Sequence, residues 1–220
     1  MKVFIIIPCY NEAEHLTKVI GSAKQYGQVV VVDDGSTDNS FQIAKNSGVI
    51  VLRHLVNRGM GAALETGDRY ALNQVADIVV HFDADGQHLA REIPQLVQPI
   101  ISGQVDVVLG SRFLTKKDQT PFLKKLFILK PAVFFQNFLL GVKLTDAHNG
   151  FRALSRQALE KISITQDNMA HATEIIEQIK QSGLTYKEVP VTVIYHEFGQ
   201  DFISGLRILR DLLFGKFNKN

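Results

Sequence analysis

The sequence predicts an α/β fold, a mostly parallel central sheet flanked by helices, on three observations. Short β-branched runs alternate with helical patterns along the 220 residues. Those runs are apolar on both faces, as strands covered by helices must be. Polar clusters recur at the ends of the runs, the edge where open sheets of this kind take their ligands.

Taken in order, the first strand is Val3 to Ile7, entered after a single lysine and without a small-residue cleavage pattern, so no secretory signal is expected. Further strands are expected at Val29 to Asp33, Val49 to Arg53, Ile78 to Phe82 and Val105 to Leu109. Helices fill the gaps at Glu12 to Gln25, Asp38 to Ser47, Gly59 to Val75 and Leu89 to Ile101. Each starts near Asn, Thr or Asp, or with an acidic first turn. Leu126 to Val142 is the most apolar stretch, but Lys130, Pro131, Gln136 and Asn137 interrupt it, and it falls short of the roughly 20 apolar residues of a membrane span. It packs into the core or lies on a bilayer through Phe134, Phe135 and Phe138. A helix opens at Met169 to Glu174, and Val189 to Tyr195 reads as a late strand. The last stretch, Leu206 to Phe217, sets an apolar helical face beside Arg207, Arg210 and Lys216. It docks on the domain, or meets an anionic surface or a small membrane-protein partner. The expected organisation is one domain over 1–200 and an amphipathic tail over 201–220.

Composition narrows the function classes. Basic and acidic residues nearly balance, 24 against 22, which gives no reason to expect nucleic acid as a partner. The seven histidines do not cluster at zinc spacing, and the single Cys9 has no internal disulfide partner, which fits a cytoplasmic location and a core role for the thiol.

Chemistry concentrates at the strand ends. Asp83 and Asp85 stand two apart after an apolar strand, where both carboxylates can face one hard cation, Mg2+ or Mn2+, that in turn holds a diphosphate. The alternative is a solvated acidic turn that caps the next helix. Pro8-Cys9-Tyr10-Asn11-Glu12 offers an aromatic ring and a carboxylate suited to a nucleobase and ribose, although Tyr10 also reads as a packing residue. Asp34, in Asp33-Asp34-Gly35-Ser36, reads as an acceptor for a base N–H or ribose hydroxyl, with helix capping as the competing role. Asn57-Arg58-Gly59-Met60-Gly61 puts small residues at a helix start, where free N–H groups welcome an anion, unless the glycines serve only close packing.

Together with Gly110-Ser111-Arg112, these motifs in this order resemble the family 2 glycosyltransferases of GT-A fold, the fold of nucleotide-diphospho-sugar transferases. Within that family the chain is most similar to the dolichyl-phosphate mannosyltransferase and polyprenyl-phosphate glycosyltransferase branch, over about residues 3 to 195. The resemblance implies an inverting transferase that moves a sugar from a nucleotide-sugar donor, a UDP- or GDP-sugar, to a lipid-phosphate acceptor. It implies metal ligation by Asp83, Asp85 and Gln87, and donor contacts from Pro8, Tyr10, Asn11, Glu12, Asp34, Arg58, Asp83, Ala84 and His196. Asp85, Arg112 and Asp146 become the catalytic candidates. Arg112 contacts the acceptor phosphate or forms an ordinary ion pair. Asp146, before Gly150-Phe151-Arg152, acts as a base or only positions the sugar or loop. Glu174 lines the site or merely opens its helix. An acceptor in the membrane implies a peripheral contact at its inner face.

The chain departs from the branch after Tyr195. His196 stands where an Arg is expected and Phe202 where a Lys is expected, so two cations beside the leaving diphosphate are missing unless His196, Arg58 or Lys116-Lys117 replaces them. This favours an active enzyme with altered donor or acceptor choice, against the alternative of a nucleotide-sugar-binding subunit or weakly active relative acting with a membrane partner.

Overall fold

The computed structural model describes residues 1–114, 141–146 and 149–194. Seven strands form one sheet: β1 (Val3–Cys9), β2 (Gln28–Asp33), β3 (Ile50–Arg53), β4 (Ile78–His81), β5 (Val107–Ser111), β6 (Arg152–Ser155) and β7 (Tyr186–Pro190). Their order is β3-β2-β1-β4-β6-β5-β7. Only β6 runs against its neighbours, pairing antiparallel with both β4 and β5. The helices are α1 (Ala13–Ala23), α2 (Ser40–Asn46), α3 (Met60–Asn73), α4 (Ile93–Ile101), α5 (Arg156–Lys161) and α6 (His171–Gln181).

Both-face apolarity has the expected cause. Strand alternation sends Phe4 and Ile6 of β1 to one side, where α3, α5 and α6 add Ala63, Leu64, Leu159, Ile175 and Ile176. Ile5, Ile7 and Cys9 point to the other side, against Leu16 and Ile20 of α1 and Leu96 and Ile100 of α4. Cys9 is a core residue as expected, and burial pushes its thiol up to about 12. α3 lies close on the sheet because Gly67 faces Ile6; a Cβ there would stand 2.3 Å from Ile6 Cγ2.

Two expectations change. Arg152–Ser155, where no strand is expected, is a strand; four residues give no period to recognise. The expected strand Val189 to Tyr195 is shifted: β7 covers Tyr186–Pro190, and beyond it Val193 makes a single bridge to His88. Most of Leu126 to Val142, with Lys116-Lys117, His196, Phe202 and the 201–220 tail, lies outside the described residues. No helix among the described residues is long and apolar enough to cross a membrane.

Candidate active site

The C-terminal ends of β1, β2 and β4 open on one cavity of about 330 Å³. Pro8, Cys9, Tyr10 and Glu12 line it from the β1 end, Asp34 from the β2 end, and Asp83, Ala84 and Asp85 from the β4 end. The remaining wall is Asn57, Gly59, Met60 and Ala63 with Asn168 and Met169. Tyr10 is 44 % exposed, so its ring is open to a ligand rather than packed.

The two aspartates follow a strand that ends at His81, so they sit on a turn rather than on alternating strand positions. Both still face the cavity. Asp85 Oδ1 accepts from the Gln87 N–H at 2.9 Å, and burial together with the Asp83 charge raises its carboxyl above the ordinary range. Burial also raises Glu12, with Asp85 the next cause. Three acidic groups thus repel one another around one cavity, and the paired carboxylates Asp83 and Asp85 are oxygen donors of the kind a divalent cation takes. No cluster of three or more His, Cys, Asp or Glu groups able to hold an ion occurs among the described residues, so Asp83 and Asp85 would leave several positions to diphosphate and water. Gln87 does not line the cavity; its backbone N–H serves Asp85 and its carbonyl accepts from Ile194. Asp83 pairs instead with His88, whose Nε2 lies 3.3 Å from Oδ2. On Asp83, burial acts upward, but the His88 hydrogen bond and the charges of His88 and Arg152 hold the carboxyl below its usual range.

Asp34 lines the cavity and also accepts from groups of its own fold. Its oxygens accept from the Arg58 N–H (3.0 and 3.2 Å), the Gly59 N–H (2.6 Å) and His54 Nδ1 (2.6 Å). The anion at the start of α3 is therefore Asp34 itself, and the Gly61 N–H goes to the Asp167 carbonyl at 2.8 Å. The glycines serve close packing: a Cβ at Gly61 would stand 2.0 Å from the Gln166 carbonyl oxygen, and Gly59 (φ 105°) is equally tight against Asp167. Arg58 itself pairs with Asp167 at 3.3 Å on the surface. Asn11 is exposed, in a left-handed conformation (φ 57°), and its Oδ1 accepts from the Thr37 and Asp38 N–H groups. It joins two loops and does not line the cavity.

Arg112 and Asp146 form a fork. Arg112 donates from Nε to Oδ2 (2.7 Å) and from Nη2 to Oδ1 (3.2 Å), and its N–H also reaches Oδ2 (3.1 Å). Glu188 on β7 fixes this loop by accepting from the N–H groups of Thr145 and Asp146. Glu174 accepts from the Thr165 and Gln166 N–H groups and the Thr165 hydroxyl, so it straps the 165–168 loop and does not line the cavity. Asn168, at the end of this loop, and Met169, just after it, stand on the cavity wall, a position that the sequence reading did not assign to them.

A family model described as glycosyl transferase family 2 matches residues 4–163. The chain belongs to this family. This glycosyltransferase is 34% identical, over 99% of its length and 97% of the relative, to a UDP-N-acetylglucosamine–dolichyl-phosphate N-acetylglucosaminyltransferase of Methanococcus voltae. It is 31% identical to the polyprenol monophosphomannose synthase of Mycolicibacterium smegmatis, over 97% of this chain and 84% of that one. Glucosyl-3-phosphoglycerate synthase from Mycobacterium tuberculosis, solved with Mn2+, UDP and glucosyl-3-phosphoglycerate, superposes with a TM-score of 0.72 at 20% identity, over 97% of this chain and 79% of that chain. That likeness establishes the GT-A fold, and the sequence relatives show that the enzyme is related to polyprenyl-phosphate sugar transferases.

Proposed function

We propose that this glycosyltransferase moves a sugar, with inversion, from a UDP- or GDP-sugar to a polyprenyl- or dolichyl-type lipid phosphate, and that it uses Mg2+ or Mn2+. The observation that carries the reading is one cavity bordered both by an open aromatic ring, Tyr10, and by the paired carboxylates Asp83 and Asp85. Tyr10 and Pro8 take the base, and Glu12 accepts from a ribose hydroxyl. Asp34 acts from beneath by locking the Arg58 and Gly59 amides. Asp83 and Asp85 hold the cation, which when bound offsets charge on the departing diphosphate. Arg112 offers a planar cation to the acceptor phosphate, and Asp146 orients that fork. An acceptor that is already an ionised phosphate needs no strong base, so a positioning Asp146 suffices.

The relatives' lipid-phosphate acceptors support a peripheral membrane contact at the inner face. A thermal-shift screen of UDP, GDP and their sugars, with and without Mn2+, tests the donor reading, because a bound ligand raises stability by mass action. Metal-dependent stabilisation by one nucleotide series is expected. No shift from any nucleotide with Mn2+ would overturn the proposal. Flotation with anionic liposomes tests the membrane contact, and a protein that stays at the bottom of the gradient would refute it.

A further inference from the structure

Arg152 is an anomaly of burial. It is 2 % exposed and is the bulkiest of the fully buried side chains. It stands on β6 opposite His81 of β4. Nη2 donates to the Asn149 carbonyl (3.1 Å) and Nε to the Gly150 carbonyl (3.4 Å), while Nη1 has no hydrogen-bond partner among the described residues. A buried guanidinium is costly unless an opposite charge faces it.

Three carboxylates act on it: Asp83, Asp68 and Asp146. Each of the three also has another close partner. Asp68 accepts from His81 Nε2 at 2.9 and 3.0 Å, and Asp146 is held in the Arg112 fork. Asp83 has His88 at 3.3 Å. Asp83 also shares a scaffold with Arg152, because a Cβ on Gly150 would stand 2.6 Å from Asp83 Oδ2, and the Gly150 carbonyl accepts from Arg152. The Asn149–Gly150 segment thus carries the guanidinium and abuts the carboxylate.

We infer that Arg152 is the buried counter-charge of Asp83, a positioning residue that balances the first aspartate while no cation is bound and so makes cation binding conditional on the nucleotide diphosphate. This rests on the metal reading above. A fixed positive charge behind a ligand opposes entry of a divalent ion, and the negative diphosphate restores the attraction. Without Arg152, the cavity would be more negative and would hold the ion on its own.

The test is calorimetric titration of Mn2+ into the full chain, alone and with UDP or GDP, for wild type, R152K and R152M. R152M should bind Mn2+ alone on the order of tenfold more tightly, the scale on which one nearby charge moves a carboxylate equilibrium, and should depend less on nucleotide. R152K should behave as wild type. R152M binding no more tightly than a wild type that does bind would overturn this inference alone; a wild type that binds no Mn2+ even with nucleotide would remove the metal reading and this inference with it. A denaturation cycle with D83N decides the pairing without metal, and also covers the case in which R152M does not fold. D83N/R152M should recover stability relative to R152M, since neither charge is then left alone. A double variant no more stable than R152M would refute the pairing.

Discussion

Gly150→Ala separates the stability of the fold from the geometry of Asp83, the proposed metal ligand. The backbone at Gly150 is not in the left-handed region, so alanine is conformationally allowed; the obstacle is space. The new Cβ would lie 2.6 Å from Asp83 Oδ2 and 3.0 Å from Oδ1, well inside ordinary contact of about 3.5 Å, so the carboxylate must retreat by several tenths of an ångström or more. An aspartate tip yields more readily than backbone, which puts the stability loss at the low end of the about 1–3 kcal/mol typical of overpacking. The catalytic loss should be larger, about 100-fold in rate, because misplacing a reacting or ligating group by about 1 Å commonly costs that much. Parallel chemical denaturation and Mn2+-dependent donor turnover measure the two quantities. Turnover within threefold of wild type, at any stability, would refute the assignment of Asp83 as a ligand held against Gly150.

Four further outcomes follow from the same geometry. Asp85→Asn should lower turnover by about 100-fold or more, the cost of removing one preorganised charge-stabilising element, while far-ultraviolet circular dichroism stays unchanged; retained turnover at saturating donor removes Asp85 from the metal site. Arg112→Ala takes the guanidinium away from the buried Asp146 carboxylate, leaving it the backbone N–H of that position, so it should cost about 3 kcal/mol and raise the acceptor KM more than the donor KM; an equal rise in both removes Arg112 from the acceptor site. His171, pulled down from 6.5 to about 4 by burial and by Arg152, is neutral in the fold, so its contribution is full above pH 6.5 and is lost as pH falls toward 4. That contribution is about 3 kcal/mol from the size of the shift, and His171→Gln, whose amide can still donate to the Asn168 carbonyl, should flatten this part of the stability profile; an unchanged acid slope contradicts it. Gly61→Ala meets a backbone carbonyl oxygen at 2.0 Å rather than a side-chain tip, so its stability loss should exceed that of Gly150→Ala; the reverse order would show that the 165–168 loop moves freely off α3.

Much of the site could be read along the chain because its parts are local. Pro8 near the end of β1, and Tyr10, Glu12, Asp83, Ala84 and Asp85 just past an apolar strand, all border the cavity. The readings of Asn11, Gln87 and Arg58 as ligand contacts are not matched by cavity-lining positions, since loop joining, backbone turns and a surface pair employ them. Met169 was legible only as the start of a helix, and Asn168 not at all, because a wall residue on a loop carries no periodicity and no charge to mark it. Arg152 was visible only as part of a motif, and its burial depends on strands distant in sequence.

By itself the sequence determined the α/β layering, since strands apolar on both faces must be covered twice, and it determined which residues stand at the ligand edge, since strand ends are local events. The tertiary structure alone decided which charges meet. Asp34 faces α3 rather than open solvent, Asp146 faces Arg112, and Asp83 sits against Gly150 beside Arg152. Electrostatic partnership depends on distance through space, and residues 69 positions apart acquire it only when β6 lies down antiparallel next to β4.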